Sequence, residues 1–186
     1  MPYDPELLQP MRDELTRLGA SELRTAEEVD EILGRRSGTT LLVINSVCGC
    51  AAANARPALT IARGGRTQPD NLVTVFAGQD IGATEKAREY LPGIRPSSPF
   101  MALFAAGEPV FVLERHHIEG REAVEIARDL RHAFDRFCAP AQAAVEQTSE
   151  SKAKTLAQQE VGSPDPASEA ELVQIARYEN EGGTSS

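Results

Sequence analysis

The sequence predicts an α/β fold in which helices flank a central mixed β-sheet, with additional elements at the N-terminus and a tail at the C-terminus. Short apolar runs of strand length alternate with segments of helical periodicity over most of residues 10–138. Two strands then follow one another across a turn rich in Gly and Pro, and a long amphipathic helix ends the series. Together these observations predict parallel strands with an antiparallel edge.

The individual elements are predicted from periodicity, caps and breakers. Helices are predicted at 10–18, 25–34, 51–62, 83–91 and 121–137, and strands at 22–24, 39–44, 71–77, 100–104 and 110–113. Thr25 and Glu28 have the spacing of a capping box, and Pro57 should kink the helix in which it lies. A right-handed βαβ unit followed by a ββα ending is the thioredoxin topology.

Residues 139–186 have a different composition from the rest of the chain. They hold 8 acidic and 3 basic residues and few large apolar side chains, so they bury too little surface to offset the entropy of ordering. We therefore predict a domain at 1–138, followed by an acidic, mostly disordered tail at 139–186 with a short helix near 168–178. We expect the domain to fold without this tail.

Charge and hydropathy exclude several classes of protein. The net charge of −9 argues against a nucleic-acid partner, which requires a basic surface. No run approaches the ~18 apolar residues of a membrane span, and the acidic N-terminus is unlike a signal peptide. The sequence thus predicts a cytoplasmic protein. Three cysteines in a reducing compartment suggest metal or redox chemistry in place of a disulfide framework.

The motif Cys48-Gly49-Cys50 carries the predicted chemistry, because it lies between a buried strand and the start of a helix. A thiol at a helix N-terminus has a lowered pKa, and the thiolate is the nucleophile of disulfide exchange. Cys48 precedes the helix and should be exposed, so we assign it the attack; Cys50, in the first turn, should be more covered and resolves. Gly49 leaves room for an incoming sulfur. With one intervening residue, the bridge is expected to be strained and oxidising.

Ser98-Pro99 directly precedes a predicted strand. Proteins with the thioredoxin topology place a cis-proline at this point, facing the active thiol, where its backbone pairs with an extended substrate. We therefore predict a cis bond close to Cys48 and a substrate-binding role for both residues.

Several segments of the chain resemble the bacilliredoxin family, once described as disulfide isomerases. They are Asn45-Ser46-Val47-Cys48-Gly49-Cys50-Ala51-Ala52, Ala55-Arg56-Pro57-Ala58, Thr74-Val75-Phe76-Ala77-Gly78-Gln79-Asp80, Pro96-Ser97-Ser98-Pro99, and Arg115-His116 with Ile118-Glu119-Gly120. The resemblance extends from about Met11 to Cys138.

The resemblance implies a thioredoxin-like fold and a thiol–disulfide oxidoreductase that removes bacillithiol, a small cytosolic thiol, from S-thiolated client proteins. Cys48 matches the family's nucleophile and Cys50 its second motif cysteine. Cys138 matches a cysteine near the end of shorter members and is a candidate auxiliary thiol. Bacillithiol is then a co-substrate, and no bound cofactor is expected. The tail departs from the family pattern.

Other interpretations of these residues stay open at this level. Arg56 could contact an anionic small thiol or lie on a solvated helix face. Cys138 could be an apolar residue at a helix end, and His116 and His117 could be surface residues at a strand end. Asn45 and Ser46 are expected to hydrogen-bond the loop backbone. The thiols could also be ordinary buried residues, or bind a metal together with Cys138 or His116, although structural zinc sites usually have four ligands.

Three functions other than bacillithiol removal are consistent with the sequence. The chain could be a general disulfide reductase or isomerase that acts on proteins. It could also be a redox-regulated binding module without turnover, or a metal carrier. Turnover of a small-thiol mixed disulfide would separate bacillithiol removal from the activity of a general reductase.

Overall fold

A computed structural model describes residues 3–138. The strands, in chain order, are β1 (Ser21–Glu22), β2 (Thr39–Asn45), β3 (Asn71–Phe76), β4 (Phe100–Ala105) and β5 (Glu108–Leu113). The helices are α1 (Pro5–Thr16), α2 (Ala26–Leu33), α3 (Arg56–Arg63), α4 (Ile81–Glu89), α5 (Arg115–Ile118) and α6 (Ala123–Phe137), and a π-helical segment (Ala51–Ala55) leads directly into α3. The predicted tail at 139–186 and its helix at 168–178 lie outside the described residues.

The five strands form one mixed sheet in the order β1-β3-β2-β4-β5. β1, β3 and β2 are parallel, whereas β4 and β5 are antiparallel additions. This is the predicted thioredoxin-like arrangement, a βαβ unit extended by a ββα ending, with α1, β1 and α2 as N-terminal additions.

The central strand β2 is buried on both faces, which explains its nearly continuous apolar sequence. Leu41 and Val43 point into the core beneath α3 and α6, and Leu42 and Ile44 point into the core beneath α2 and α4. Helices on both faces of the sheet therefore hold β2 in place. As a result, the loop that follows Asn45 begins at a fixed position at the end of the sheet.

The N-terminal helix differs most from the prediction. α1 begins at Pro5, where the Asp4 side chain accepts a hydrogen bond from the Glu6 backbone, and it continues through Pro10 to Thr16. The prediction began the helix at Pro10, but Pro10 is the sixth residue of α1 and lies inside the helix, where it removes one i to i−4 hydrogen bond. The capping box of Thr25 and Glu28 is present as predicted.

The predicted kink at Pro57 takes the form of a π-helical segment. The Arg56 N–H donates to the carbonyl of Ala51, five residues earlier, instead of four. Pro57 has no N–H and its ring would clash with a carbonyl in a regular turn, so one widened turn accommodates it. Ala51 to Arg63 is consequently one helical unit with a bulge at its start.

Two further differences lie in the C-terminal part of the described chain, at the β4–β5 turn and after β5. The β4–β5 turn is tighter than predicted, with Ala106 and Gly107 both at positive φ (51° and 83°), the geometry of a two-residue hairpin loop. His116 and His117 lie in the short helix α5 instead of at a strand end. No helix within residues 3–138 is long and apolar enough to cross a bilayer.

Candidate active site

The Cys-Gly-Cys motif begins three residues after the end of β2, where the chain turns into a helix. The backbone N–H groups of Ala51 and Ala52 both donate to the carbonyl of Cys48, at 3.1 and 3.3 Å. Cys48 therefore occupies the N-cap position, with its side chain beside the free amides of the first turn. This placement is the one that the sequence predicts.

Two hydrogen-bond donors surround the Cys48 sulfur. The backbone nitrogen of Ala51 lies 3.3 Å from Sγ, and the hydroxyl oxygen of Ser46 lies 3.4 Å from it. Cys48 and Cys50 are paired as a disulfide, so this sulfur carries no proton and both neighbours donate to it. When the bridge is reduced, the same donors and the helix dipole stabilise a thiolate at this position.

The two cysteines differ in their contacts and share an exposure class. Both are partly exposed, so the predicted contrast between an open Cys48 and a covered Cys50 is not observed. Among the described residues, however, Sγ of Cys48 accepts hydrogen bonds and Sγ of Cys50 has none. Their Cα atoms are 5.4 Å apart, a common separation for disulfides. The two cysteines thus differ in how well the structure stabilises a thiolate at each sulfur, and Cys48 is the favoured position. That the bridge is strained and oxidising stays a prediction.

Gly49 lies within the motif, and the Ser98–Pro99 bond lies at the same end of the sheet. A Cβ added at Gly49 would meet no atom within 4 Å, so the space above the motif is open. The Ser98–Pro99 bond is cis, as predicted. Phe100 pairs with Ile44, which brings the cis-proline to the same end of the sheet as the loop that carries Cys48. A strand-like substrate placed beside Pro99 would therefore lie at the site.

Arg56 does not lie on a solvated helix face, which corrects one of the two interpretations drawn from the sequence. Its side chain is 5% exposed. Nε donates to the Glu14 carboxylate at 2.6 Å, and Nη1 lies 3.4 Å from both the Asn45 side-chain oxygen and the Ser46 carbonyl. Protein acceptors engage Nε and Nη1, so Arg56 positions the loop that precedes Cys48. Its contact with an anionic small thiol stays a prediction.

Asn45 and Ser46 were both expected to hydrogen-bond the loop backbone, but only the Asn45 side chain does so. Asn45 is buried, its Oδ1 accepts from the Ser46 N–H at 2.9 Å, and its Nδ2 donates to the carbonyl of Met11. Ser46 instead directs its hydroxyl to the Cys48 sulfur. The contact between Ser46 and Cys48 was not predicted, although only two positions separate the residues. The tie to α1 was not predictable, because Met11 and Glu14 are more than thirty positions away and no local pattern indicates them.

Cys138 lies far from the motif. Its thiol is beside Thr39 and Asp70, and Thr39 begins the strand whose other end leads to Cys48. A strand of that length spans roughly 20 Å, so Cys138 does not reach Cys48 within this domain and its assignment as an auxiliary thiol is not supported. Burial raises the pKa of Cys138, as do Asp70 and Asp135, and this outweighs the opposing hydrogen bond from Thr39.

A Cys138→Ser variant is therefore expected to retain full exchange activity. In the reduced protein, iodoacetamide should label Cys48 well before Cys138 at neutral pH, because only the thiolate reacts and the pKa of Cys138 is raised. Peptide mass spectrometry after timed labelling measures both rates. Equal labelling, or a loss of turnover in the variant, would return Cys138 to the mechanism.

The histidines do not combine with the cysteines into the metal site weighed from the sequence. Within residues 3–138 the donor atoms that cluster are those of Glu114, His116 and His117. Nδ1 of His117 accepts the N–H of Glu114 at 3.1 Å, which leaves its proton on Nε2. In this tautomer His117 has no free lone pair for a metal. The cluster instead caps α5, next to the Ser97 hydroxyl that accepts from Arg115 N–H.

Comparison with known proteins identifies the family. A model of the disulphide isomerase family matches residues 3–138. A bacilliredoxin of Salinibacter ruber is 59% identical over 140 residues, which are 74% of this chain and 82% of that protein. One of Bacillus licheniformis is 51% identical over 137 residues, or 73% of this chain and 95% of that protein. The chain belongs to the bacilliredoxin family.

Among solved structures, a thioredoxin from Malassezia sympodialis aligns with a TM-score of 0.45 and 15% identity, covering 64% of this chain and 91% of that one.

Membership of this family and the dithiol at the end of β2 make the chain a thiol–disulfide oxidoreductase. The family match ends at Cys138, the last described residue. The resemblance drawn from the Cys48 motif and the cis-proline segment is thereby confirmed.

Proposed function

We propose that this bacilliredoxin-family protein removes bacillithiol from S-bacillithiolated client proteins, in the cytosol, with Cys48 as the nucleophile. The observation that carries the proposal is the environment of the Cys48 sulfur. It lies at a helix N-cap within hydrogen-bonding distance of Ala51 N and Ser46 Oγ. The high identity to bacilliredoxins supports bacillithiol as the small thiol.

The first step consumes a mixed disulfide between a client cysteine and bacillithiol. The Cys48 thiolate attacks the bacillithiol sulfur, a new S–S bond forms, and the client sulfur leaves as a thiolate with the electron pair of the broken bond. The client is thereby restored and Cys48 carries bacillithiol. The open space above Gly49 and the adjacent cis-proline are consistent with access for a protein-bound sulfur.

In the second step the Cys50 thiolate attacks the Cys48 sulfur. The bond to bacillithiol breaks, bacillithiol leaves as a thiolate, and the Cys48–Cys50 disulfide forms; this bridged pair is the state that the structure contains. Two electrons have passed from the dithiol to the mixed disulfide. A dithiol reductase, or two molecules of a small thiol that leave as a disulfide, must then supply two electrons to reduce the bridge.

A comparison of substrates tests the choice of small thiol. The same client protein is prepared as its bacillithiol and its glutathione mixed disulfide, together with an unrelated protein that holds an internal disulfide. We expect turnover to be fastest with the bacillithiol adduct. Equal rates on all three substrates would favour a general disulfide reductase. Capture of proteins by the oxidised form without any turnover would favour a redox-regulated binding module.

A further inference from the structure

The hydroxyl of Ser46 lies 3.4 Å from the sulfur of Cys48. Ser46 is a buried residue, 7% exposed, so water does not compete freely for this contact. A disulfide sulfur and a thiolate have no proton, and the hydroxyl is therefore the donor in both states. The Ala51 amide approaches the same sulfur at 3.3 Å.

The backbone of Ser46 is held by the residues around it. Its N–H donates to Asn45 Oδ1 at 2.9 Å, and its carbonyl faces Nη1 of Arg56 at 3.4 Å. The same nitrogen of Arg56 also faces Asn45 Oδ1, and Nε of Arg56 is paired with Glu14 on α1. The carbonyl and amide on both sides of the Ser46 side chain are thus fixed by one guanidinium and one carboxamide. A hydroxyl held in this way loses little freedom when it binds the thiolate.

We propose that Ser46 is a second catalytic residue of the exchange reaction, donating its hydroxyl to the Cys48 thiolate, and that the Arg56–Glu14 pair positions it. The inference rests on the proposed role of Cys48. Before attack the negative charge is on the Cys48 sulfur, and during attack it passes to the leaving client sulfur. A donor at Cys48 therefore stabilises the starting thiolate more than the transition state.

This difference has a consequence that depends on pH. Loss of the donor raises the thiol pKa, so less thiolate is present at low pH. The thiolate that does form is more nucleophilic, with a Brønsted coefficient of about 0.4–0.5. For a shift of about one pKa unit, the value expected for loss of a charged hydrogen bond, the rate falls roughly threefold at low pH and rises roughly threefold at high pH.

Other charged groups border the site and must be separated from this effect. Arg56 with Glu14 lies behind Ser46, and Arg121, whose carbonyl accepts from Asn54, is paired with Asp129. The segment around α5 carries Glu114, Arg115, His116, His117 and Glu119, and its Arg115 N–H donates to Ser97, next to the Ser98–Pro99 bond. Because these groups also contribute to the local field, each variant is compared with its parent over the whole pH range.

The experiment uses the full chain with Cys50→Ser, so that Cys48 is the motif's single thiol. The rate of Cys48 alkylation by iodoacetamide is followed by peptide mass spectrometry from pH 4 to 10, with and without Ser46→Ala. Ser46→Thr retains the hydroxyl and should restore the parent profile. Thr60→Ala is the matched control, because it removes an exposed hydroxyl that bonds only to the carbonyl of Arg56 on the same helix.

The expected result is a pair of profiles that cross. Ser46→Ala should be about threefold slower at pH 5 and as fast or faster at pH 10, with its midpoint higher by about one unit. Arg56→Lys should shift the midpoint in the same direction, and add little when combined with Ser46→Ala, because both act through one hydroxyl. Thr60→Ala should match the parent.

An unchanged midpoint in Ser46→Ala, or a rate lowered equally at every pH, would overturn the proposal and leave Ser46 a packing residue. Circular dichroism of each variant shows whether it is folded. If the alanine variant unfolds, Arg56→Lys provides the test, because it should raise the midpoint through the same hydroxyl. These outcomes are distinct from failure of the proposed function. That failure would appear as turnover by Cys48→Ser, whatever the result at Ser46.

Discussion

Replacing Cys48 by Ser is expected to abolish exchange, with turnover falling by roughly three orders of magnitude or more, because a serine hydroxyl supplies no thiolate at neutral pH. Cys50→Ser is expected to retain the first attack within a few-fold and to stop with bacillithiol on Cys48. The contacts of the two sulfurs support this order: Cys48 Sγ accepts from Ala51 and Ser46, whereas Cys50 Sγ has no such donor among residues 3–138.

Intact mass spectrometry of each reduced variant after reaction with a bacillithiolated client tests this prediction. Cys50→Ser should gain the mass of one bacillithiol, and Cys48→Ser should gain none. Cys138→Ser is the matched control, since it removes a cysteine at the opposite end of β2, beside Thr39. If Cys50→Ser failed to form the adduct while Cys48→Ser formed it, the roles of the two cysteines would be reversed.

Features encoded in consecutive residues were predictable from the sequence. β2 follows from an uninterrupted apolar run, and the start of α2 follows from Thr25 and Glu28 at capping-box spacing. The position of Cys48 at a helix start follows from a strand and a helix separated by a short loop. In each case a backbone hydrogen bond or a buried face decides the structure, and both depend on neighbours in the chain.

Features that depend on distant pairs were not predictable. Arg56 on an isolated helix would be a solvated cation. It is buried because Glu14 of α1 and Asn45 of β2 meet it from two other elements. Similarly, Cys138 was a candidate auxiliary thiol for Cys48 and Cys50, but it lies at the far end of the sheet, beside Thr39. Such placements depend on how α1 and α6 pack, which single-sequence periodicity does not report.

The attachment of α1 to the sheet leads to the second large expected effect. Arg12 of α1 is buried, with its guanidinium 2.6 Å from the Glu22 carboxylate of β1 and 2.7 Å from the Asp80 carboxylate that precedes α4. The three side chains are 8%, 16% and 9% exposed. Removing the shared cation leaves two poorly hydrated carboxylates, of which Glu22 keeps a second partner, Arg24. This is more costly than losing a surface ion pair.

Arg12→Met is therefore expected to lower the free energy of unfolding by about 3 kcal/mol, or the melting temperature by roughly 10 °C. Arg17→Met is the matched control on the same helix. Its guanidinium is 76% exposed and lies 3.6 Å from Asp13, so the expected loss is under about 0.5 kcal/mol. Adding Asp80→Asn to Arg12→Met should recover part of the stability, because one unpaired charge is removed. Urea unfolding of the four proteins measures these differences.

The pH dependence separates loss of charge pairing from loss of packing. Burial alone would raise the pKa of Glu22, but hydrogen bonds and charges from Arg12 and Arg24 outweigh it and hold that pKa below its ordinary value of 4.5. The stabilisation from Glu22 is thus complete above pH 4.5 and is lost as the pH falls through the lowered pKa. In Arg12→Met, Glu22 keeps Arg24 as a charged partner but loses Arg12, so its pKa is higher than in the parent and acid relieves part of the cost. The difference in stability between the parent and Arg12→Met should be largest near pH 7 and shrink below pH 4.5.

A difference that stays constant with pH would mean that Arg12 acts through its contact with the Phe76 ring, 5.1 Å from the guanidinium carbon, instead of through its charge.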